Sequence, residues 1–378
     1  MKRLKNYMNR PESILTGKKN LEHLYTLKDF PVYMGCTTQD QSEDIIADMV
    51  WGICPETGMI QLEKLIPLEI LYQGQHNEGV GKIWAEHYES FVKFIELYSP
   101  KYVLEIGGAH GIIAKEYLSR MPEAQWTIVE PNPTLQDDRI RVIQDWFNED
   151  FKYDGRVDAI VHSHVLEHSY NPKSFLEVIG SFLKVRDMQF FSFPNMVEQL
   201  TRKYTNCLNF EHTAFISEYF ADSLIKATGF EIVDKSYFKD HSIFYATRKI
   251  GESQAFRVEN KYEEYKKLFT DFVSYHENMV RDLNKKIKTA KDPVYLFGAH
   301  IFSQYLIGFG LKSDKIISVL DNSPTKQGKR LYGTNLLVES PKILKGEGPI
   351  NVILKAGIYD EEIKKDILEN INPEVIFW

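Results

Sequence analysis

Apolar and polar positions change their period several times along the chain, and each change marks a different kind of element. Residues 1 to about 80 hold only short apolar runs, DMVWGIC and GMIQL, broken by Gly, Pro and Asp, which predicts a small loop-rich segment. From Lys82, Ile83, Tyr88, Phe91 and Ile95 recur at helical spacing until Ser99-Pro100 stops them. The run Tyr102 to Ile106 then reads as a buried strand, and strand and helix patterns alternate after it. Predicted strands are Trp126 to Glu130, Ile140 to Ile143, Val157 to Ser163 and Met188 to Phe193, with helices at Ile113 to Arg120, Pro172 to Leu183 and Glu218 to Thr228. EIVDKSYFK and SIFYATRK meet across Asp240-His241 and predict an antiparallel hairpin. This pattern describes an α/β fold, a doubly wound sheet closed by that hairpin.

Residues 253–290 lack Gly and Pro, are rich in charge, and carry Tyr262, Tyr265, Leu268, Phe269, Phe272, Val273, Met279 and Leu283 on one face, predicting a long amphipathic helix. Beyond it, PVYLFG, KIISVLD, INVILKAG and EVIFW alternate with helical stretches as a second, smaller α/β unit. The expected divisions are 1–80, 81–250, a linker helix over 251–290, and 291–378.

Composition narrows the partners more than the fold. Lys plus Arg number 46 against 53 Asp plus Glu, a net charge of −7, so no basic surplus drives phosphate-backbone binding. No apolar run is long enough to span a bilayer, and three cysteines cannot build a disulfide framework. The N-terminal MKRLKNYMNRPE has no apolar stretch of a secretory signal, which predicts a cytoplasmic protein with neither nucleic acid nor membrane as partner. Oligomeric state is not legible.

Strand Tyr102 to Ile106 runs directly into Gly107-Gly108-Ala109-His110-Gly111 and a helix, where the backbone can approach a ligand and helix N–H groups are open. Glu130-Pro131 ends the next strand, 19 residues after Gly111 for the glutamate, the place from which a carboxylate reaches ribose hydroxyls. The pyrophosphate pattern G-x-G-x-x-G fails at Ala109 and Ile112. What remains, Glu105-x-Gly107-x-Ala109-x-Gly111, has the form found in S-adenosylmethionine (SAM) methyltransferases, where the acid caps the amino group of the methionine half. Asp145 and Trp146, with Phe147, follow the third strand and are candidates for the adenine, although both aromatic rings are equally suited to a core.

Histidines gather at the end of the fourth strand, in HSHVLEH (His162, His164, His168), and again at His212 and His241. In open parallel sheets that end faces the substrate, and imidazole titrates near neutrality, as a methyl acceptor awaiting deprotonation requires. His162 is assigned beside the cofactor and His164 beside the substrate. A metal on His162, His164, His168 and Glu167 is the rival reading, weakened because alternate strand residues face opposite ways. Glu211-His212 lies in a loop at the same sheet end.

Taken together, GICPETGMIQL, LEIGGAHG, IVEP, DAIVHSHVLEH, NFEHT with GFEIVD, LFGAH, VLDNSPTKQGKRLYGT and AGIYDEEI resemble the three-part sugar C-methyltransferases of nucleotide-linked deoxysugars. The resemblance covers most of the chain. It implies a class I SAM methyltransferase domain, a small zinc-binding N-terminal segment, and a C-terminal Rossmann-like domain that helps close the substrate cleft. It makes His168, Glu211 and His212 active-site residues, with His212 the proton acceptor. It adds a tyrosine position filled by Tyr72 or His76. Asn209 stands where the family has a second tyrosine, so C- and O-methylation both stay open, and Lys326 and Arg330 in the basic loop meet either the sugar nucleotide or solvent. The family's paired C-x-x-C zinc ligands are reduced to Cys36 and Cys54, so no metal is expected, and packing of Val50, Trp51, Ile53, Met59 and Leu62 is expected in its place. Rival classes are an NAD-dependent sugar oxidoreductase, which lacks its glycine turn here, another small-metabolite O-methyltransferase, and a non-catalytic SAM-binding scaffold.

Overall fold

The strand Tyr102–Ile106 (β1) is an interior strand of a seven-stranded sheet in the computed structural model, which describes residues 1–72 and 81–378. The other strands are Gln125–Val129 (β2), Ile140–Ile143 (β3), Ala159–Ser163 (β4), Met188–Pro194 (β5), Phe230–Phe238 (β6) and Ser242–Lys249 (β7). Their order is β3-β2-β1-β4-β5-β7-β6, with β7 antiparallel to both of its neighbours and the other pairs parallel. Strand order reverses between β1 and β4, which opens a crevice at their carboxyl ends.

Helices Lys82–Glu96 (α1), Ile112–Arg120 (α2), Pro172–Phe182 (α3) and Glu218–Ala227 (α4) flank this sheet. α3 starts where Asn171 accepts from the Ser174 N–H and Pro172 fixes the first turn; Ser217 caps α4 in the same way. Phe91, Val92 and Ile95 of α1 pack with Val103, Ile128, Val161, Phe190 and Phe244 in one buried cluster. Each such side chain contributes roughly 1.5–3 kcal/mol of apolar burial.

Two units partition the chain: Tyr72–Gln199 with Glu211–Asn260, which holds this sheet, and Met1–Leu71 with Leu200–Phe210 and Lys261–Trp378. In the second unit the strands Glu22–Pro31 and Ile45–Ile53 pair antiparallel within a four-stranded sheet, where only a loop-rich segment was expected. Register shifts at His23/Tyr25 and Leu27/Phe30 interrupt the period-two pattern, which hides these strands from periodicity. Trp51, Ile53, Met59 and Leu62 are buried and Val50 is half-buried, the packing expected of this segment.

The long helix Tyr262–Thr289 (α5) starts nine residues later than its charged, Gly-free stretch suggests. After it come Val294–Phe297 (β8), Ile301–Gly308 (α6), Ile316–Leu320 (β9), Val338–Glu339 (β10), Ile350–Leu354 (β11) and Val375–Phe377 (β12). They form a parallel sheet ordered β10-β9-β8-β11-β12. Within this unit, Arg330 makes two 2.6 Å contacts to the fully buried Asp44, and Cys36–Thr37 pairs with Arg330–Leu331. The Cys36 thiol donates to the Ala299 carbonyl at 3.3 Å.

Candidate active site

The turn after β1 is shaped by what lies beneath it. Glu105 is 2% exposed, and its Oε2 accepts from the Trp126 indole N–H at 2.7 Å. A Cβ on Gly108 would sit 2.6 Å from the Glu105 Cδ, so only glycine lets the loop fold over this carboxyl. Gly111, at φ 63, caps α2 without a side chain, and a Cβ there would also meet Leu135. The Ala109 carbonyl accepts from the Thr134 N–H at 3.1 Å and ties the loop to the segment after β2. Burial pushes the Glu105 carboxyl up to about 7, against the opposing Trp126 hydrogen bond. Glu130, at the end of β2, accepts from the Asn132 N–H at 2.9 Å. Past β3, Asp145 accepts from the Trp146 N–H; the Trp146 ring is 41% exposed and meets Tyr72 edge-on at 5.7 Å. Phe147 instead packs against Phe151, Phe175 and Phe182. The pair whose roles were open in the sequence divides into an accessible tryptophan and a packed phenylalanine.

Beyond β4, four of the expected residues converge. The Tyr72 hydroxyl lies 3.2 Å from His168 Nδ1, and Glu211 Oε2 is 3.8 Å from the same nitrogen. The His168 and His212 rings meet edge-on at 4.8 Å. Burial first, and then the neighbouring Glu211, raises the Tyr72 phenol well above its ordinary value. Tyr72 is therefore a hydrogen-bond donor at neutral pH rather than a base. Glu167 belongs to this group too, since Glu167, His168 and His212 each bring a ligand-type atom within 4.8 Å of the others. It is fully buried, its Oε1 lies 3.0 Å from His164 Nδ1 without hydrogen-bond geometry, and burial pushes it up to about 7 while His212 opposes the shift.

Other expected residues lie elsewhere. His162, expected beside the cofactor, is fully buried within β4, stacked on Phe191 at 4.9 Å and hydrogen-bonded to Gln189. Its burial lowers it to about 3. His164, at φ 54, clusters with His87 and His241 while its Nδ1 stays 3.0 Å from Glu167. Arg330 is committed to Asp44, and Lys326 to Asp321 at 3.0 Å, so the basic loop is internally paired. Asn209 is buried and lies in the other unit. His76 lies outside the described residues. Sequence reasoning passed over His87 and Trp84, because α1 was read only for its apolar stripe; their i, i+3 spacing was the available signal.

Residues 82–235 match the family model described as a methyltransferase domain, and residues 247–373 match the C-methyltransferase C-terminal domain. The sheet order, with its antiparallel β7, is that of a class I methyltransferase, a Rossmann-like fold. Among solved structures, human N-acetylserotonin methyltransferase in complex with SAM matches at 17% identity and TM-score 0.39, covering 44% of this chain and 53% of that one. An O-methyltransferase family protein from Burkholderia thailandensis matches at 12% identity and TM-score 0.37, over 44% and 57%. The riboflavin-derivative dimethyltransferase RosA of Streptomyces davawensis matches at 16% and 0.38, over 44% and 55%. The chain thus spans little more than half the length of these three proteins. No curated protein matches the sequence.

Proposed function

We propose that this chain, which carries a methyltransferase domain and a C-methyltransferase C-terminal domain, is a SAM-dependent methyltransferase acting on a carbon of a nucleotide-linked keto sugar. The observation that carries the reading is the convergence of Tyr72, His168, Glu211 and His212 past the carboxyl end of β4, in the same fold as the Glu105–Gly111 turn. The C-terminal match favours carbon over oxygen as the acceptor.

The turn residues fit SAM: the helix N-terminus is free of a side-chain cap, the glycines admit close backbone approach, and Glu105 and Glu130 supply carboxylates for an ammonium and for ribose. Asp145 and the exposed Trp146 ring would meet the adenine. When bound, SAM supplies an activated methyl group on a sulfonium. His212 then takes a proton from the carbon next to the keto group, assisted by Glu211 and His168. The Tyr72 phenol, kept protonated by its surroundings, donates to the enolate oxygen that develops. SAM held by the Glu105–Gly111 turn and Glu130 would supply the methyl group to the enolate carbon, while His212 keeps the proton until solvent removes it. Glu167, buried beside His212, stabilises the imidazolium formed in this step.

Proton abstraction is testable apart from methyl transfer. In D2O, the enzyme with a nucleoside-diphosphate keto sugar is expected to exchange the hydrogen next to the carbonyl, as read by NMR, and His212→Ala to lose that exchange. Exchange unchanged in the variant removes His212 as the base.

A further inference from the structure

Three imidazoles sit together at the carboxyl end of the sheet, apart from His168 and His212. They come from separate elements: His87 from α1, His164 from the turn after β4, and His241 from the β6–β7 hairpin. Their ring centroids form a nearly equilateral triangle with sides of 5.3, 5.5 and 5.6 Å. One nitrogen from each ring lies within 4.8 Å of one nitrogen of each of the others. A tetrahedral ion held by three imidazole nitrogens at about 2.0–2.1 Å places the centroids about 5 Å apart. The triangle of centroids has that size, and small rotations of the rings would bring the three nitrogens to ligand distance.

We propose that His87, His164 and His241 bind one divalent transition metal ion of the zinc class.

The surroundings of each ring are those of a ligand held from behind. His87 Nε2 is 3.2 Å from the Ser192 hydroxyl, and its Nδ1 is buried with no hydrogen-bond partner among the described residues. An unpartnered nitrogen on a ring with 0% exposure is a desolvation cost that a metal ion offsets. His241 Nδ1 is 2.6 Å from the Ser242 hydroxyl, which leaves Nε2 as its ligand atom. His164 Nδ1 is 3.0 Å from the Glu167 carboxyl, close enough for that carboxylate to orient the ring once Nε2 is ligated. Its Nε2 meets the Ser242 hydroxyl at 2.9 Å, a contact that an ion would replace.

Around this polar centre the shell is apolar. Trp84 packs edge-on against all three rings at 4.7 to 5.3 Å, and Phe91, Phe238 and Phe244 lie against His87. Burial holds His164 and His241 down to about 3 and drives His87 lower still, so all three are neutral at pH 7, the form that ligates. The backbone of His164 is in the left-handed region, unusual for a residue without special need of it. His164 and His241 are only partly buried, which leaves an entry path. This site shares no residue with the cysteines from which a zinc centre was considered in the sequence.

The test uses the full chain, stripped with a chelator and titrated with Co²⁺ at neutral pH. The expected result is one saturating equivalent with the visible absorption of a four-coordinate ion and no thiolate charge-transfer band. His87→Gln and His241→Gln are each expected to lose that equivalent, and Ser192→Ala to weaken it about 10- to 100-fold. Cys36→Ser with Cys54→Ser, and His212→Ala separately, are expected to retain it. Zn²⁺ at 100 times its Kd should raise Tm by about 5 °C. Circular dichroism checks the fold of each variant, and if His87→Gln unfolds, His241→Gln on the hairpin carries the same comparison. No saturable equivalent overturns the proposal. So does binding that survives both histidine variants, or that disappears with the cysteines or His212.

Discussion

His212 and Glu105 give the sharpest residue-level predictions, because one is asked to move a proton and the other to carry a charge. His212→Ala should lower turnover by roughly 10²- to 10⁴-fold while SAM affinity, measured by calorimetry, stays within about twofold. Glu105 and Glu167 are both pushed up to about 7 by burial. The folded chain therefore keeps protons that the unfolded chain releases from about pH 4.5 upward. That contribution is complete below the unfolded value and is lost as pH rises towards 7. Each carboxyl contributes at most about 3 kcal/mol to the fall. The ligand-free chain should accordingly lose stability between pH 5 and 7.5 in urea titrations. Glu105→Gln should flatten that slope and be the more stable protein at pH 8. SAM binding should tighten from pH 6 to 8 in the parent chain, as Glu105 ionises against the ligand's ammonium, and should lose that pH dependence in the variant.

At the scale of elements, the parallel strands were legible because buried strands read as continuous apolar runs bounded by turn residues, and α3 because Asn171-Pro172 announces it. The glycine turn was legible for the same reason that it is fragile. Gly108→Ala brings a methyl group onto the Glu105 carboxyl and should abolish measurable SAM binding, with a loss of about 1–3 kcal/mol in unfolding free energy. The active-site group was legible only in part. Tyr72, His168, Glu211 and His212 share polar, loop-rich surroundings that a motif can flag. The fates of His162 and His164 depended on which side of a strand end each ring falls. His162 is directed into the Phe175 and Phe191 packing, while a positive φ at His164 turns the chain towards α1. Periodicity carries no information about such a turn, nor about the meeting of His87 with a hairpin some 150 residues away.

For the whole molecule, the linear order of segments concealed that Met1–Leu71 and Lys261–Trp378 belong to one unit. The buried Arg330–Asp44 pair joins the two, and Arg330 also donates to the carbonyls of Gln39 and Thr334. Asp44→Ala leaves that guanidinium uncompensated and should destabilise this unit by about 3–5 kcal/mol, read as a shift in its urea midpoint. No described helix is long and apolar enough to cross a membrane, and the net charge of −7 gives no general attraction for polyanions. The most direct measurement supplies methyl-labelled SAM and a panel of nucleoside-diphosphate sugars, with keto and hydroxyl acceptors side by side, and locates the label by mass and NMR. The account predicts a new carbon–carbon bond next to a keto group; label on oxygen, or on no sugar at all, would contradict it.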